Sequence, residues 1–399
     1  MMHYACDLFG PLSWRRHIFP SFAILVLPMY PSHSLRAATS PAPAKQIIGY
    51  IFPKDRVIAP GEVAARKLTR INYAFANLQN GVIVEGFGHD AENFAALNSL
   101  KRENPCLTVL VSVGGWTWSG NFSDMALTRK SRNLFIESAV KFVQKYNLDG
   151  LDIDWEYPGM AGNNIRFRPD DKRNYTLLLK ELRKRFDREE KHLGRHLVAS
   201  IATGASTDFL EHTEMAKVQR YVDTINLMSY DYYVPAWDKT TGHHSPLFTN
   251  PADPKKISAD RIVHEYESEG VSASKIVLGV PFYGKSWANV PNINHGLFQI
   301  GTEAPATYLP YNGLASLQNN GYIRYWDASA SAPFLYNKDV QIFISYEDPE
   351  SLADKCKYVL DHKLAGIMFW EYSSDPAGIL LQSIDSGLYH DVPVSTETP

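Results

Sequence analysis

From Gln46 onward the chain alternates short apolar runs with longer stretches in which apolar residues recur every third or fourth position. The apolar runs cover residues 47–51, 70–75, 108–113, 150–155, 197–202, 224–230, 276–282 and 365–370. Short runs rich in Val, Ile, Tyr and Phe read as strands buried on both faces. The amphipathic stretches cover 91–102, 131–146, 171–193, 259–269 and 349–362 and read as helices. Repeated strand–helix units imply a parallel sheet. Eight of them over this length predict a closed α/β (β/α)8 TIM barrel rather than an open doubly wound sheet. No Gly-rich phosphate loop follows the first strand, and Gly114-Gly115 after the third reads as a turn.

One interval breaks the rhythm. From about 288 to 345 the chain is rich in Tyr, Asn and Pro, with short β-like pieces at 322–326 and 341–346. A structureless loop that long is unusual in a compact domain, so a small α+β insertion subdomain is expected between strand 7 and its helix. On a barrel it would stand at the C-terminal face, where it could wall a cleft. Ahead of the barrel, Trp14-Arg15-Arg16-His17 precedes the apolar run 18–29 and small residues follow to Ser40, the order of a secretory signal peptide over 1–38. That run is too short and too Pro-broken for a membrane span. Residues 39–45 (TSPAPAK) read as a spacer, 46–390 as the catalytic unit and 391–399 as a disordered tail. The expected location is outside the cytoplasm.

Composition narrows the function classes. With 399 residues and a formal charge of −3, the chain carries no electrostatic footprint for nucleic acid or for anionic membranes. A hydrophobic content of 45% supports a full core, and 22 Tyr and 8 Trp leave rings to spare for binding. Cys106 and Cys356 are far apart and are expected as small buried hydrophobes, with a bridge between them as the alternative. No His, Cys or Asp cluster has metal-ligand spacing, so neither a metal nor another cofactor is expected. A monomer is expected.

The segment Asp149-Gly-Leu-Asp152-Ile-Asp154-Trp155-Glu156 places acids on what reads as a buried strand. Alternation sends Asp152, Asp154 and Glu156 to one face and Leu151, Ile153 and Trp155 to the other. The acids would then point into the barrel lumen, with Glu156 last, at the C-terminal mouth. A charge network that merely fixes barrel register is one explanation, but a costly one for three acids. A proton relay is the other: close carboxyls cannot all ionise, so one or more should have a raised pKa, and a raised-pKa Glu at a mouth suits a general acid. Asp149 faces away from the lumen and reads as structural.

These residues resemble the DGxDxDxE signature of glycoside hydrolase family 18, the chitinase family. Ser112-Val-Gly-Gly-Trp116 is similar to its SxGG strand, Met228-Ser-Tyr230-Asp231 to its MxYD strand, 279–284 to its seventh strand, and 366–370 to its closing strand with the terminal Trp370. The resemblance covers about 47–388. It implies a retaining, substrate-assisted mechanism instead of the usual pair of carboxylates. In that scheme Glu156 is the acid and base, Asp154 orients the substrate acetamido group, Asp152 shares a proton with Asp154, and Tyr230 donates to the acetamido carbonyl. Trp370 would floor the subsite of the cleaved sugar, lined by Tyr50, Phe75 and Met228, with Asp231 and Tyr283 nearby. Trp116 and Trp237 are candidate platforms further along, since aromatic rings suit the apolar faces of pyranoses. Tyr283-Gly284-Lys285 departs from the Tyr-Gly-Arg of many chitinases, which bears on affinity or subsite preference because Arg and Lys are not interchangeable. The expected activity is hydrolysis of chitin and chito-oligosaccharides. The alternatives are an endo-β-N-acetylglucosaminidase acting on N-glycans and a chitin-binding lectin, although such lectins usually lose the acids that this chain retains. His243-His244, in the loop after the sixth strand, is expected in solvent or on the cleft rim.

Overall fold

The computed structural model describes residues 45–389 apart from Ala315. The leader at 1–38, all of the spacer but Lys45, and the tail at 391–399 lie outside the described residues. In chain order the strands begin with β1 (Gln46–Ile51), β2 (Arg70–Gln79), β3 (Val82–Val84), β4 (Thr108–Gly114) and β5 (Gly150–Asp154). Next come β6 (Val198–Gly204), β7 (Thr224–Met228), β8 (Ile276–Pro281) and β9 (Tyr283–Ala288). The last are β10 (Thr302–Pro310), β11 (Ile323–Asp327), β12 (Ala332–Asn337), β13 (Ile342–Ser345) and β14 (Gly366–Trp370).

Parallel pairing runs β1-β14-β8-β7-β6-β5-β4-β2, and β2 pairs with β1 to close the ring. This is the eight-stranded barrel that the alternating pattern requires. Outward side chains of β5 meet helices: Trp155 stacks on Phe122 with ring centroids 5.4 Å apart and meets Tyr175 of the helix Asp171–Leu193 edge-on at 5.8 Å. Helix ends follow local chemistry. Asp348 caps Pro349–Asp361 through a capping box with Ser351, and Gly194 closes Asp171–Leu193 in the left-handed conformation.

A second, antiparallel sheet of order β10-β9-β13-β12-β11 follows β8 directly. It begins at Tyr283, ahead of the 288 expected from composition, because Tyr283–Ala288 leaves the barrel as the central partner of β10 and β13. It buries Trp287 and Phe343 on one face and Leu335 and Ile344 on the other.

Several details differ from the pattern. β2 runs on to Gln79 and pairs with β3 as a hairpin. β7 stops at Met228, and the Ser229 and Tyr230 N–H groups donate to carbonyls two residues back as the chain turns out of the barrel. The helix Ile379–Tyr389 was not expected, although Leu381, Ile384 and Leu388 recur at helical spacing, and the short helices Thr207–Glu211 and Met215–Val218 are too brief to show a repeat. Of the cysteines, Cys356 is a buried free thiol, so no bridge joins it to Cys106, and Cys106 is exposed rather than buried. No helix among the described residues is long and apolar enough to cross a membrane.

Candidate active site

Register determines where the acids sit. Asp152 lies level with Ser112 of β4 and Ser200 of β6. Their hydroxyls donate to its carboxylate at 2.8 and 2.6 Å, joined by Tyr50 Oη at 2.9 Å and Asn226 Nδ2 at 3.2 Å. Deeper in the lumen the buried Arg70 guanidinium donates to Thr224 Oγ1 at 2.7 Å. Burial pushes the Asp152 carboxyl up, while these donors and the Arg70 charge pull it back.

Asp154 is one step toward the mouth, and its Oδ1 has no hydrogen-bond partner among the described residues. Burial holds its carboxyl well above the usual range, helped by the charges of Glu156 and Asp152. Glu156 comes last. Its backbone N–H donates to Ser119 Oγ at 2.9 Å, which ties the end of β5 to the turn after β4. Burial pushes its carboxyl up to about 7 against a hydrogen bond from Tyr157, with the charge of Asp231 adding to the rise. Gly114 allows this close approach: at φ 107° it already favours glycine, and a Cβ there would stand 2.3 Å from the Asp154 carbonyl oxygen.

Tyr230 follows β7. Burial and the charges of Asp154, Asp231 and Glu156 hold its hydroxyl well above its usual pKa, so it remains a proton donor. Asp231 Oδ1 accepts from Tyr283 Oη at 2.8 Å and lies 3.2 Å from Lys285 Nζ and 3.5 Å from His244 Nδ1. Burial works against its charge, yet His244, Lys285 and Tyr283 together hold its carboxyl below the usual range. Three non-proline cis peptide bonds, Ala74–Phe75, Glu156–Tyr157 and Trp370–Glu371, lie around this mouth.

A cleft of about 760 Å³ opens over these groups, within the range of small-molecule sites. All the residues expected in the site line it except Asp152, which lies beneath. Trp370 stacks on Phe75 at 5.5 Å and 21° and meets Tyr50 at 5.9 Å. Trp116 and Trp237 face each other with centroids 5.7 Å apart, 38% and 69% exposed. Phe52, Tyr157, Met160 and Tyr308 also line the cleft and were not anticipated. Phe52 and Tyr157 directly extend strand ends already assigned to the site, which was a usable signal. Tyr308 comes from β10, stacks on Tyr283 at 4.5 Å, and had no signal in the sequence.

The two histidines resolve differently from expectation, and Asp149 as expected. His243 and His244 are buried, not solvated: His243 Nε2 meets Asp327 of β11 at 3.0 Å, and His244 packs against the Tyr283 ring. Asp149 accepts from Val109 N–H at 2.7 Å and pairs with Lys101 and Arg195 on the side away from the lumen. Among the described residues no group of three or more His, Cys, Asp or Glu could hold a metal ion.

Comparison with known proteins agrees with this geometry. Residues 46–375 match Glycosyl hydrolases family 18. Chitinase A1 of Niallia circulans is 36% identical over 450 residues, covering 96% of this chain, which spans 63% of that protein's length. Chitinase 1 of Aphanocladium album is 31% identical, covering 81% of this chain and 79% of its own. The structure of a family 18 N-acetylglucosaminidase from Paenibacillus barengoltzii superposes with a TM-score of 0.78 at 42% identity, over 86% of this chain and 99% of that one. A match over most of the chain, on a closed barrel whose β5 carries its acids to the mouth, makes this protein a member of glycoside hydrolase family 18.

Proposed function

We propose that the protein is an exported chitinase that hydrolyses β-1,4-linked N-acetylglucosamine polymers with retention of anomeric configuration. The observation that carries this is Glu156, a carboxyl titrating at about 7 in the cleft, with the protonated-leaning Asp154 behind it. Glu156 gives its proton to the glycosidic oxygen as the bond to the anomeric carbon breaks. The substrate's acetamido oxygen attacks that carbon and closes an oxazolinium ring. Asp154 accepts the acetamido N–H and holds the attacking oxygen in line, while Tyr230 donates to the acetamido oxygen. Glu156, now ionised, takes a proton from water as the water opens the ring.

Trp370, on its Phe75 support, is read as the floor of the reacting sugar's subsite. The exposed pair Trp116 and Trp237 supports a substrate that extends beyond one residue. Two of the relatives named above are chitinases and one is an N-acetylglucosaminidase, in line with a substrate of this class. Export rests on the basic-then-apolar order of residues 14–40.

The test is mass spectrometry of products from N-acetylchitohexaose. Wild-type protein should release shorter oligosaccharides, while Glu156→Gln retains binding and loses nearly all turnover. No release by folded wild-type protein, or undiminished release by the variant, overturns the proposal.

A further inference from the structure

Lys285 lies outside the mechanism just described, yet among the described residues lining the cleft it is the only basic side chain, set against the acids Asp154, Glu156 and Asp231. It projects from β9 with only 13% of its side chain exposed, and its Nζ lies 3.2 Å from Asp231 Oδ1 and 5.1 Å from the centroid of the Tyr283 ring. A largely desolvated ammonium needs such a partner.

Charged and titratable groups approach Asp231 from several elements. Tyr283 of β9 donates to it, and the buried His244 approaches from the loop after β7, with Glu347 as a further neighbour of that imidazole. Tyr308 of β10 stacks on Tyr283. Glu156 and Tyr157 follow β5, and Tyr230 adjoins Asp231 in the chain. Asp231 is an anion whose field reaches Glu156 and favours its protonated form. A cation fastened to that anion opposes the same field.

We propose that Lys285 is a positioning residue for proton transfer: by pairing with Asp231 it offsets the acid's charge as felt at Glu156, and so sets the upper edge of the pH range over which Glu156 can protonate a leaving oxygen. This rests on the reading of Glu156 as the proton donor. The role belongs to charge rather than to fork geometry, so Arg should substitute and an apolar side chain should not.

The decisive measurement is a direct titration of Glu156 by carbon-detected NMR of the Glu-labelled full chain, without substrate, with Glu156→Gln identifying the signal. In Lys285→Met the titration should move upward by roughly half a pH unit, the scale of one screened charge in a cleft. Lys285→Arg should titrate like wild type, and Lys285→Gln, which keeps a polar group, should follow Met. The alkaline limb of kcat/KM on N-acetylchitohexaose should move with each titration. A Glu156 titration unmoved in Lys285→Met and Lys285→Gln, or moved equally in Lys285→Arg, overturns the proposal. If the titration moves but no variant nor wild type cleaves the hexamer, the chitinase assignment fails and this coupling stands.

Discussion

Replacing Glu156 with Gln should stabilise the protein at neutral pH, and the gain should depend on pH. Burial raises the carboxyl of the folded protein from 4.5 to about 7, whereas in the unfolded chain it returns to its ordinary value. A carboxyl raised on folding contributes fully below about 4.5, where it is protonated in both states. That contribution is lost as pH rises toward 7, since the unfolded chain releases its proton first. At 1.36 kcal/mol for each pH unit, the deficit reaches about 3 kcal/mol and levels off above the folded value. Glutamine carries no charge and has no such deficit. It also removes the charge that helps hold Asp154 protonated, an effect of the same sign. For roughly 340 ordered residues, an unfolding entropy near 2 cal/mol/K per residue converts 3 kcal/mol to a Tm gain of about 4 °C. Scanning calorimetry of both proteins from pH 4 to pH 8 should show coincident Tm values at the acid end and a widening gap through neutrality. A gap that stays constant over that interval would refute the premise that burial, and not substrate, sets the Glu156 pKa.

Asp152→Ala should lower stability by about 3–5 kcal/mol, because it leaves the hydroxyls of Tyr50, Ser112 and Ser200 and the Asn226 amide without their shared acceptor. Urea unfolding checks this, and a loss under about 1 kcal/mol would mean that the donors re-pair freely. Trp237→Ala should leave Tm unchanged, since the ring is 69% exposed, and should raise KM for N-acetylchitohexaose roughly 3- to 10-fold, as expected from losing one aromatic contact. An unchanged KM would remove Trp237 from the binding surface.

The barrel was legible because its strands are buried on both faces and its helices on one, so the two periodicities are clean. The helix Asp171–Leu193 matches its expected span because a left-handed Gly194 ends it where the apolar repeat stops. The positions of the acids were legible for a similar reason: alternation along β5 leaves two faces, and only one faces the helices. Legibility failed where contacts span long sequence distances. Nothing around His244 foretells that it packs on Tyr283 and lies beside Asp231, because that burial is created by β9, some forty residues later. Tyr308 reaches the cleft only through the antiparallel pairing of β10 with β9, which has no local signature. Of the two cysteines, Cys356 is buried as expected, whereas Cys106 falls in the turn just ahead of β4 and is exposed.

Three acids on one strand can accomplish what one buried acid cannot, because their surroundings are graded. Asp152, fully buried, has four donors and a nearby guanidinium, so negative charge is best tolerated there. Asp154 is almost as buried but has an oxygen without a donor, so ionising it is costly and a proton is favoured. Glu156 is at the open end, with one hydrogen bond and the anion Asp231 as neighbours, and burial pushes its carboxyl up to about 7. Charge is therefore best tolerated at the bottom of the column, and protons are favoured at the two carboxyls above it, the upper of which is at the open mouth. When Glu156 gives up its proton, its new charge raises the cost of ionising Asp154 further, so the two carboxyls cannot act independently. Moving the donors of Asp152 up by two strand positions, to the level of Asp154, would place the stable anion there instead. The hydroxyls of Ser112 and Ser200, level with Asp152 by strand register, are thus as much a part of the acid chemistry as the carboxyls they face.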